Sequence, residues 1–230
     1  MNILYSLYFQ TSSDVTSQSV LCIGCGLGEE CDYIKSSGAE RVVGIDTSEG
    51  MLEQAKLSYP NVKFFQMDMQ MLELPSNTFD IIFSSLTIHY CNDWTIPLRE
   101  IYRVLKDDGI AIFSTHHPAA WGGHKEETES SKTQLLGYSL DKKTKELQIY
   151  GDYFTSRKIE GKFFGKFNVV YYHKSFSSIL REIINSGFDI VDCVEPEPIA
   201  SAREIDQSFW EIRSKIPLFV IFKLQKKVSP

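Results

Sequence analysis

The chain has 230 residues, a net charge of −6 and five cysteines. That length suits one large domain or a domain carrying an insertion. Its ordinary apolar and charged content excludes a fibrous or disordered chain, and no apolar run is long enough to span a bilayer. The acidic balance argues against a nucleic-acid partner, because phosphate contacts need many Lys and Arg. The densest basic cluster, Lys142-Lys143-Thr144-Lys145, lies between Asp141 and Glu146 and reads as a solvated loop. Met1 to Gln10 is apolar and aromatic without a basic leader, so it does not read as a secretory signal. An odd cysteine count without such a signal implies reduced thiols and a cytoplasmic location.

The first nineteen residues carry Tyr5, Leu7, Tyr8 and Phe9 and then a Ser/Thr-rich loop. Ser19 to Ile23 reads as a buried strand that runs into Gly24, Gly26 and Gly28. A helix follows over Glu29–Ser36, with Gly38 as its terminator. Arg41 to Ile45 is a second buried strand closed by Asp46, and Ser48 is a good cap for a helix over Glu49–Ser58. Val62 to Gln66 is a third strand, ending near Asp68. Phe79 to Ser84 is a fourth, followed by a helix over Asp93–Leu105. Asp107-Asp108-Gly109 is turn chemistry before a fifth strand, Ile110–Ser114.

From His116 to Tyr172 this pattern breaks into a polar, glycine-containing stretch rich in aromatics, among them Trp121, Tyr138, Tyr150, Tyr153 and Phe154. It is too long for a plain loop and reads as an inserted cap with short strands of its own. The core pattern then resumes: a helix over Phe176–Ser186, a strand over Phe188–Val194, a helix over Arg203–Ser214 and a last strand over Leu218–Leu224. Strands alternating with helices predict an α/β fold, a doubly wound, mostly parallel seven-stranded sheet covered on both faces. Ligand sites in such sheets lie beyond the carboxyl ends of the strands. Gly24 to Gly28, Asp46, Asp68 and Ser84 to His89 all fall at such ends.

A buried strand, a glycine turn and a helix N-terminus build a site for a nucleotide-like ligand. The run Val20-Leu21-Cys22-Ile23-Gly24-Cys25-Gly26-Leu27-Gly28 resembles the glycine motif of class I S-adenosylmethionine-dependent methyltransferases. The resemblance continues through Val43-Gly44-Ile45-Asp46 with Ser48 and Met51, Met67-Asp68-Met69, Phe79-Asp80-Ile81-Ile82, and Leu98 to Gly109. It implies a Rossmann-like methyltransferase fold as a single domain over residues 1–230, with 116–172 as the cap insertion. S-adenosyl-L-methionine would be the cofactor and S-adenosyl-L-homocysteine the product.

The resemblance also implies roles. Gly24, Cys25, Gly26 and Gly28 would lie against the methionine and ribose, and Asp46, with Thr47 beside it, would bind the ribose diol. Asp68 would take the adenine amino group and the Met69 amide a ring nitrogen. Met51 and Leu86 would sandwich the adenine, and the Ser84 carbonyl would take the ammonium. One departure is Cys22, which stands where the family usually has an acid. Cys22 and Cys25 form a C-x-x-C, but no second pair complements it for zinc, and no metal is expected.

A nicotinamide-dependent oxidoreductase is the rival enzyme reading. Its G-x-G-x-x-G spacing is not met, because Glu29 stands at the third glycine position. A non-catalytic cofactor- or partner-binding module is the other rival. The segment after strand four, Ser84-Ser85-Leu86-Thr87, lacks the Asn/Asp-Pro-Pro-aromatic pattern of nucleic-acid amino methyltransferases. With the negative charge, this favours a small-molecule acceptor and no nucleic acid or membrane partner, for a monomer or homodimer. Where the acceptor must lose a proton, His89, His117 and His173 are the candidate catalytic bases, with His116 beside them.

Overall fold

The computed structural model describes residues 15–127, 132–163 and 167–227. The N-terminal residues Tyr5, Leu7, Tyr8 and Phe9 lie outside the described residues. In chain order the first elements are β1 (Ser19–Ile23), α1 (Glu29–Ser36), β2 (Arg41–Asp46), α2 (Glu49–Ser58), β3 (Lys63–Gln66) and β4 (Phe79–Ser84). A 3-10 turn (Ile88–Tyr90), α3 (Thr95–Val104), β5 (Leu105–His116) and α4 (Pro118–Trp121) follow. Then come β6 (His124–Glu127), β7 (Lys132–Leu135), β8 (Gly137–Leu140), β9 (Leu147–Tyr150), β10 (Arg157–Phe163) and β11 (Phe167–His173). The chain closes with α5 (Phe176–Asn185), β12 (Phe188–Val194), α6 (Ala202–Ile205), α7 (Gln207–Arg213) and β13 (Phe219–Lys226).

Seven strands form one sheet in the order β12-β13-β5-β4-β1-β2-β3. β1 runs parallel to β2 and β4, β2 to β3, and β4 to β5, whereas β12 and β13 are antiparallel. This is the doubly wound, mostly parallel sheet that the alternating pattern predicts. Val20, Leu21, Cys22 and Ile23 are all at most 2% exposed. A strand covered on both faces needs such an unbroken apolar run. The register sets Ile23 against Ile45 on one side and Ser84 on the other, and Asp46 against Gln66. The carboxyl ends of four neighbouring strands therefore share one edge.

The chain divides into two compact units, one of residues 1–115, 182–194 and 221–230, the other of 116–181 and 195–220. In the first unit, α3 buries Leu98, Ile101 and Val104. Its polar side clamps the connection between β3 and β4. Arg103 donates to the carbonyls of Leu72 and Leu74 at 2.7 Å, and Glu100 accepts the Leu72 amide at 2.7 Å.

Two elements differ from the sequence reading. β5 begins at Leu105, not Ile110, because pairing with β4 skips from Phe79–Leu105 to Ile81–Ile110. The turn residues Asp107-Asp108-Gly109 thus make a bulge inside a strand, and Lys106 holds it by pairing with Asp80 at 2.7 Å. The helix expected over Arg203–Ser214 is two short helices. Asp206 leaves helical geometry (φ −148°, ψ 97°) and caps α7 by accepting the Phe209 amide at 2.9 Å.

The second unit carries three antiparallel hairpins, β6–β7, β8–β9 and β10–β11. Its aromatic centre is the His116 ring stacked on Trp121 at 3.7 Å, with Tyr171 edge-on to both at 5.1 and 5.2 Å. Trp121 Nε1 donates to the Leu218 carbonyl at 3.2 Å and the His117 amide donates to the same oxygen at 2.9 Å. These two bonds tie residues 195–220 to the aromatic stretch.

Two outcomes follow from this packing. A Cβ on Gly44 would stand 2.7 Å from the Phe64 ring and 2.9 Å from Cys25 Sγ. Gly44→Ala is expected to cost about 1–3 kcal/mol by overpacking, read as a lower urea midpoint. Burial of the His116 ring pushes its pKa down to about 3. The unfolded chain takes up that proton below about pH 6.5 and the folded chain does not. Stability therefore falls as pH drops from 6.5 towards 3, by at most about 1.4 kcal/mol per pH unit from this group. His116→Phe is expected to flatten the melting temperature against pH between 7 and 5.

Candidate active site

The turn after β1 is built from three left-handed glycines, Gly24 (φ 68°), Gly26 (φ 51°) and Gly28 (φ 83°). A side chain at any of them would be strained. Two also admit a neighbour. A Cβ on Gly24 would stand 2.2 Å from Thr87 Oγ1, and one on Gly28 would stand 2.7 Å from the Phe64 ring. Gly26 is different, since a Cβ there would meet only Met51 Sδ, at 3.8 Å. The turn is tied to β2: the amides of Gly24 and Cys25 both donate to the Ile45 carbonyl, at 2.8 and 3.0 Å.

Asp46 completes that tie. Its Oδ2 accepts the Gly26 amide at 2.9 Å and its Oδ1 the Ser48 amide at 2.9 Å. Each oxygen keeps a second lone pair, and the side chain is half-buried at the edge. Ser48 caps α2 through the Met51 amide at 3.4 Å. The exposed Thr47 gives its carbonyl to Gln66 Nε2 at 3.0 Å.

At the next strand end Asp68 is exposed and accepts the Gln70 amide at 2.8 Å, with the half-buried Met69 between them. On the other side of β1, Ser84 is buried and Leu86 takes a left-handed conformation (φ 51°). The Leu86 amide donates to Ser114 Oγ at 3.0 Å, which anchors this tip to β5. The sheet thus brings the glycine turn, Asp46, Thr47, Met51, Asp68, Met69, Ser84 and Leu86 to adjacent strand ends of one unit.

Two residues there escape sequence reasoning. Thr87 fills the space beside Gly24. Tyr90 feels the Asp46 charge: burial first, and that carboxylate second, hold its phenol above the usual value. The signal for both was their position just after β4, within reach of the edge.

Cys22, Cys25 and Cys31 are each at most 5% exposed. The Cys31 thiol on α1 is in hydrogen-bonding contact with both others; its contact with Cys25 and burial push the Cys25 thiol up, and the Cys22 contact and burial push Cys31 up, both well above the usual thiol range. Such thiols stay protonated and inert. Among the described residues no group of three or more His, Cys, Asp or Glu side chains is placed to hold a metal ion.

Of the candidate bases, His89 lies in the first unit, 2% exposed, its ring 4.5 Å from that of Tyr90. His117 and His173 lie in the second unit. His117 Nδ1 accepts the Ala119 amide at 3.1 Å, capping α4, and Nε2 lies 2.6 Å from Glu195 Oε1. Both ring nitrogens are engaged, and the proton sits on Nε2. Burial lowers the pKa, with Glu195 opposing. His173 Nε2 donates to the Tyr153 carbonyl at 2.9 Å, and burial likewise keeps the ring neutral.

A family model described as a methyltransferase domain matches residues 21–113. An uncharacterized protein of Haemophilus influenzae is 28% identical over 219 residues, covering 90% of this chain and 81% of that protein. A malonyl-[acyl-carrier protein] O-methyltransferase of Yersinia pestis is 34% identical over 106 residues. That match covers 46% of this chain, which spans only 39% of the Yersinia protein. The crystal structure of an S-adenosylmethionine-dependent methyltransferase from Mesorhizobium loti superposes with a TM-score of 0.79 at 24% identity, covering 96% of this chain and 97% of that one. That likeness shows the shared fold. Residues 21–113, with the glycine turn and Asp46 inside them, thus match a methyltransferase domain, and S-adenosylmethionine is the cofactor that this match and the shared fold support.

Proposed function

We propose that this chain transfers the methyl group of S-adenosylmethionine to a small-molecule acceptor. The observation that carries the reading is the Asp46 carboxylate, which pins the glycine turn and still has lone pairs to offer a vicinal diol. The residues present fit an adenosyl ligand. Gly26 leaves open space where a side chain would stand, and Met51, Asp68, Met69 and Leu86 lie at the neighbouring tips. They fit a dinucleotide poorly, because the first turn of α1 carries Glu29, Glu30 and Asp32. Three carboxylates at a helix N-terminus repel a diphosphate that would otherwise bind there.

When bound, the sulfonium supplies an activated methyl carbon and a neutral thioether leaving group. The chain's own work is then to bind, align and keep out water. Gly24, Cys25, Gly26 and Gly28 let the methionine and ribose approach the backbone. Asp46 orients the ribose, Asp68 and the Met69 amide read the adenine, and Met51 and Leu86 pack on its faces. Ser84 offers its carbonyl to the ammonium. A base is needed only where the acceptor's nucleophile carries a proton. Of the candidate histidines, His89 is the one that lies in the unit of the glycine turn, while His173 keeps a neutral ring in the second unit with its Nε2 proton committed to the Tyr153 carbonyl. His117 is a capping group, both its nitrogens being used.

The net charge of −6 supports a small-molecule acceptor over a nucleic acid. A binding-only role draws on Cys22, whose buried thiol replaces a charged group. Release of S-adenosylhomocysteine in the presence of acceptor candidates separates the two.

The direct test is calorimetry with S-adenosylmethionine. Asp46→Ala is expected to raise the cofactor Kd by at least about 30-fold, since charge-assisted bonds to two hydroxyls are lost, with the circular dichroism spectrum retained. Asp46→Asn, which keeps one acceptor oxygen, is expected to fall between. An unchanged Kd in Asp46→Ala would overturn the assignment.

A further inference from the structure

We infer that the hairpin β8–β9 is the surface on which a second copy of this chain docks. Its two strands pair antiparallel, with Tyr138 opposite Ile149 and Leu140 opposite Leu147. Alternation puts these four side chains on one face of the ribbon. All are exposed: Tyr138 78%, Leu140 51%, Leu147 64% and Ile149 77%. Every residue from 136 to 149 is exposed, including Ser139 and Gln148 on the other face. A two-stranded ribbon with no cover is marginal in water, and a hydrophobic face needs further strands or a helix against it. The tip is nonetheless well built: Asp141 Oδ1 accepts the amides of Lys143 and Thr144 at 2.7 and 3.0 Å. A shaped hairpin carrying an apolar face implies an occupant.

Area and charge identify that occupant. At roughly 150 Å² for a fully exposed large apolar side chain, the four exposed fractions amount to about 400 Å² on each copy. A standard interface buries about 800 Å² per partner, of which somewhat more than half is apolar. The patch therefore matches the apolar share of one such interface. It is also self-complementary, as a two-fold contact requires. Two ribbons laid face to face and antiparallel make four strands around one apolar layer. That arrangement sends the tips, with Lys142, Lys143 and Lys145 between Asp141 and Glu146, to opposite ends. An anionic membrane fits less well: acids flank the three lysines, and the whole chain carries −6.

The test is sedimentation velocity of the full chain from about 1 to 100 μM, the range over which a micromolar dimer dissociates. A concentration-dependent dimer is expected. Tyr138→Lys/Ile149→Lys should raise the dimer Kd by at least about 30-fold, the size of a hot-spot loss. Gln148→Lys on the opposite face should leave it unchanged. Cofactor affinity by calorimetry and the circular dichroism spectrum should match wild type in all variants, showing that the first unit is intact and that the secondary structure of the whole chain is retained. A wild-type chain that stays monomeric throughout would overturn the proposal, as would a dimer indifferent to the double variant or equally sensitive to Gln148→Lys. A monomer that instead pellets with phosphatidylglycerol vesicles would also overturn it, in favour of a lipid surface.

Discussion

The organisation of the first unit turns on one carboxylate. Asp46 ends β2 and reaches across to the glycine turn of the neighbouring strand, taking the Gly26 amide on one oxygen and its own Ser48 amide on the other. An exposed turn of three left-handed residues has a large conformational entropy to lose. Three bonds from β2, two to the Ile45 carbonyl and one to Asp46, hold it in one shape. In the proposed function the group that organises the turn is also the one that takes the ribose, so cofactor binding and loop order would depend on the same side chain.

Around that tie the edge is kept free of competing charge chemistry. The three thiols behind the turn are buried among apolar side chains, and burial and thiol contacts keep Cys25 and Cys31 protonated. They pack as small hydrophobes rather than acting as nucleophiles. The carboxylates are distributed unevenly: Asp46 and Asp68 stand at strand ends, where the proposed function uses them for hydroxyl and amino donors, while Glu29, Glu30 and Asp32 crowd the first turn of α1. In the second unit burial lowers the pKa of His116, His117 and His173. His117 is further committed to a helix cap and to Glu195.

The strands and helices of the first unit were legible because each is marked locally. Val20 to Ile23 and Val42 to Ile45 are apolar runs bounded by glycine or aspartate, and Ser48 announces α2. Local marks also misled. Asp107-Asp108-Gly109 is turn chemistry wherever it occurs, and only the pairing of Leu105 with Phe79 shows that it bulges within β5. Asp206 looks like an interior helix residue until its side chain caps a new helix. Thr87 against Gly24, Tyr90 in the field of Asp46, and His117 with Glu195 join residues 78 or fewer positions apart that no local pattern connects. The grouping of 195–220 with the aromatic stretch rests on such contacts too.

The amino-acid sequence by itself determined the parallel layered sheet, the glycine turn and the acids that follow the strands. Each of these depends on hydrophobic periodicity or on backbone conformations only certain residues adopt, and both are written within a few neighbouring positions. Only the tertiary structure decided which strand ends lie side by side, where Asp46 spends its oxygens, that the thiols are inert and that one hairpin is left with a bare apolar face. Those outcomes depend on register, burial and distance between residues far apart in the chain, quantities that arise when the elements pack.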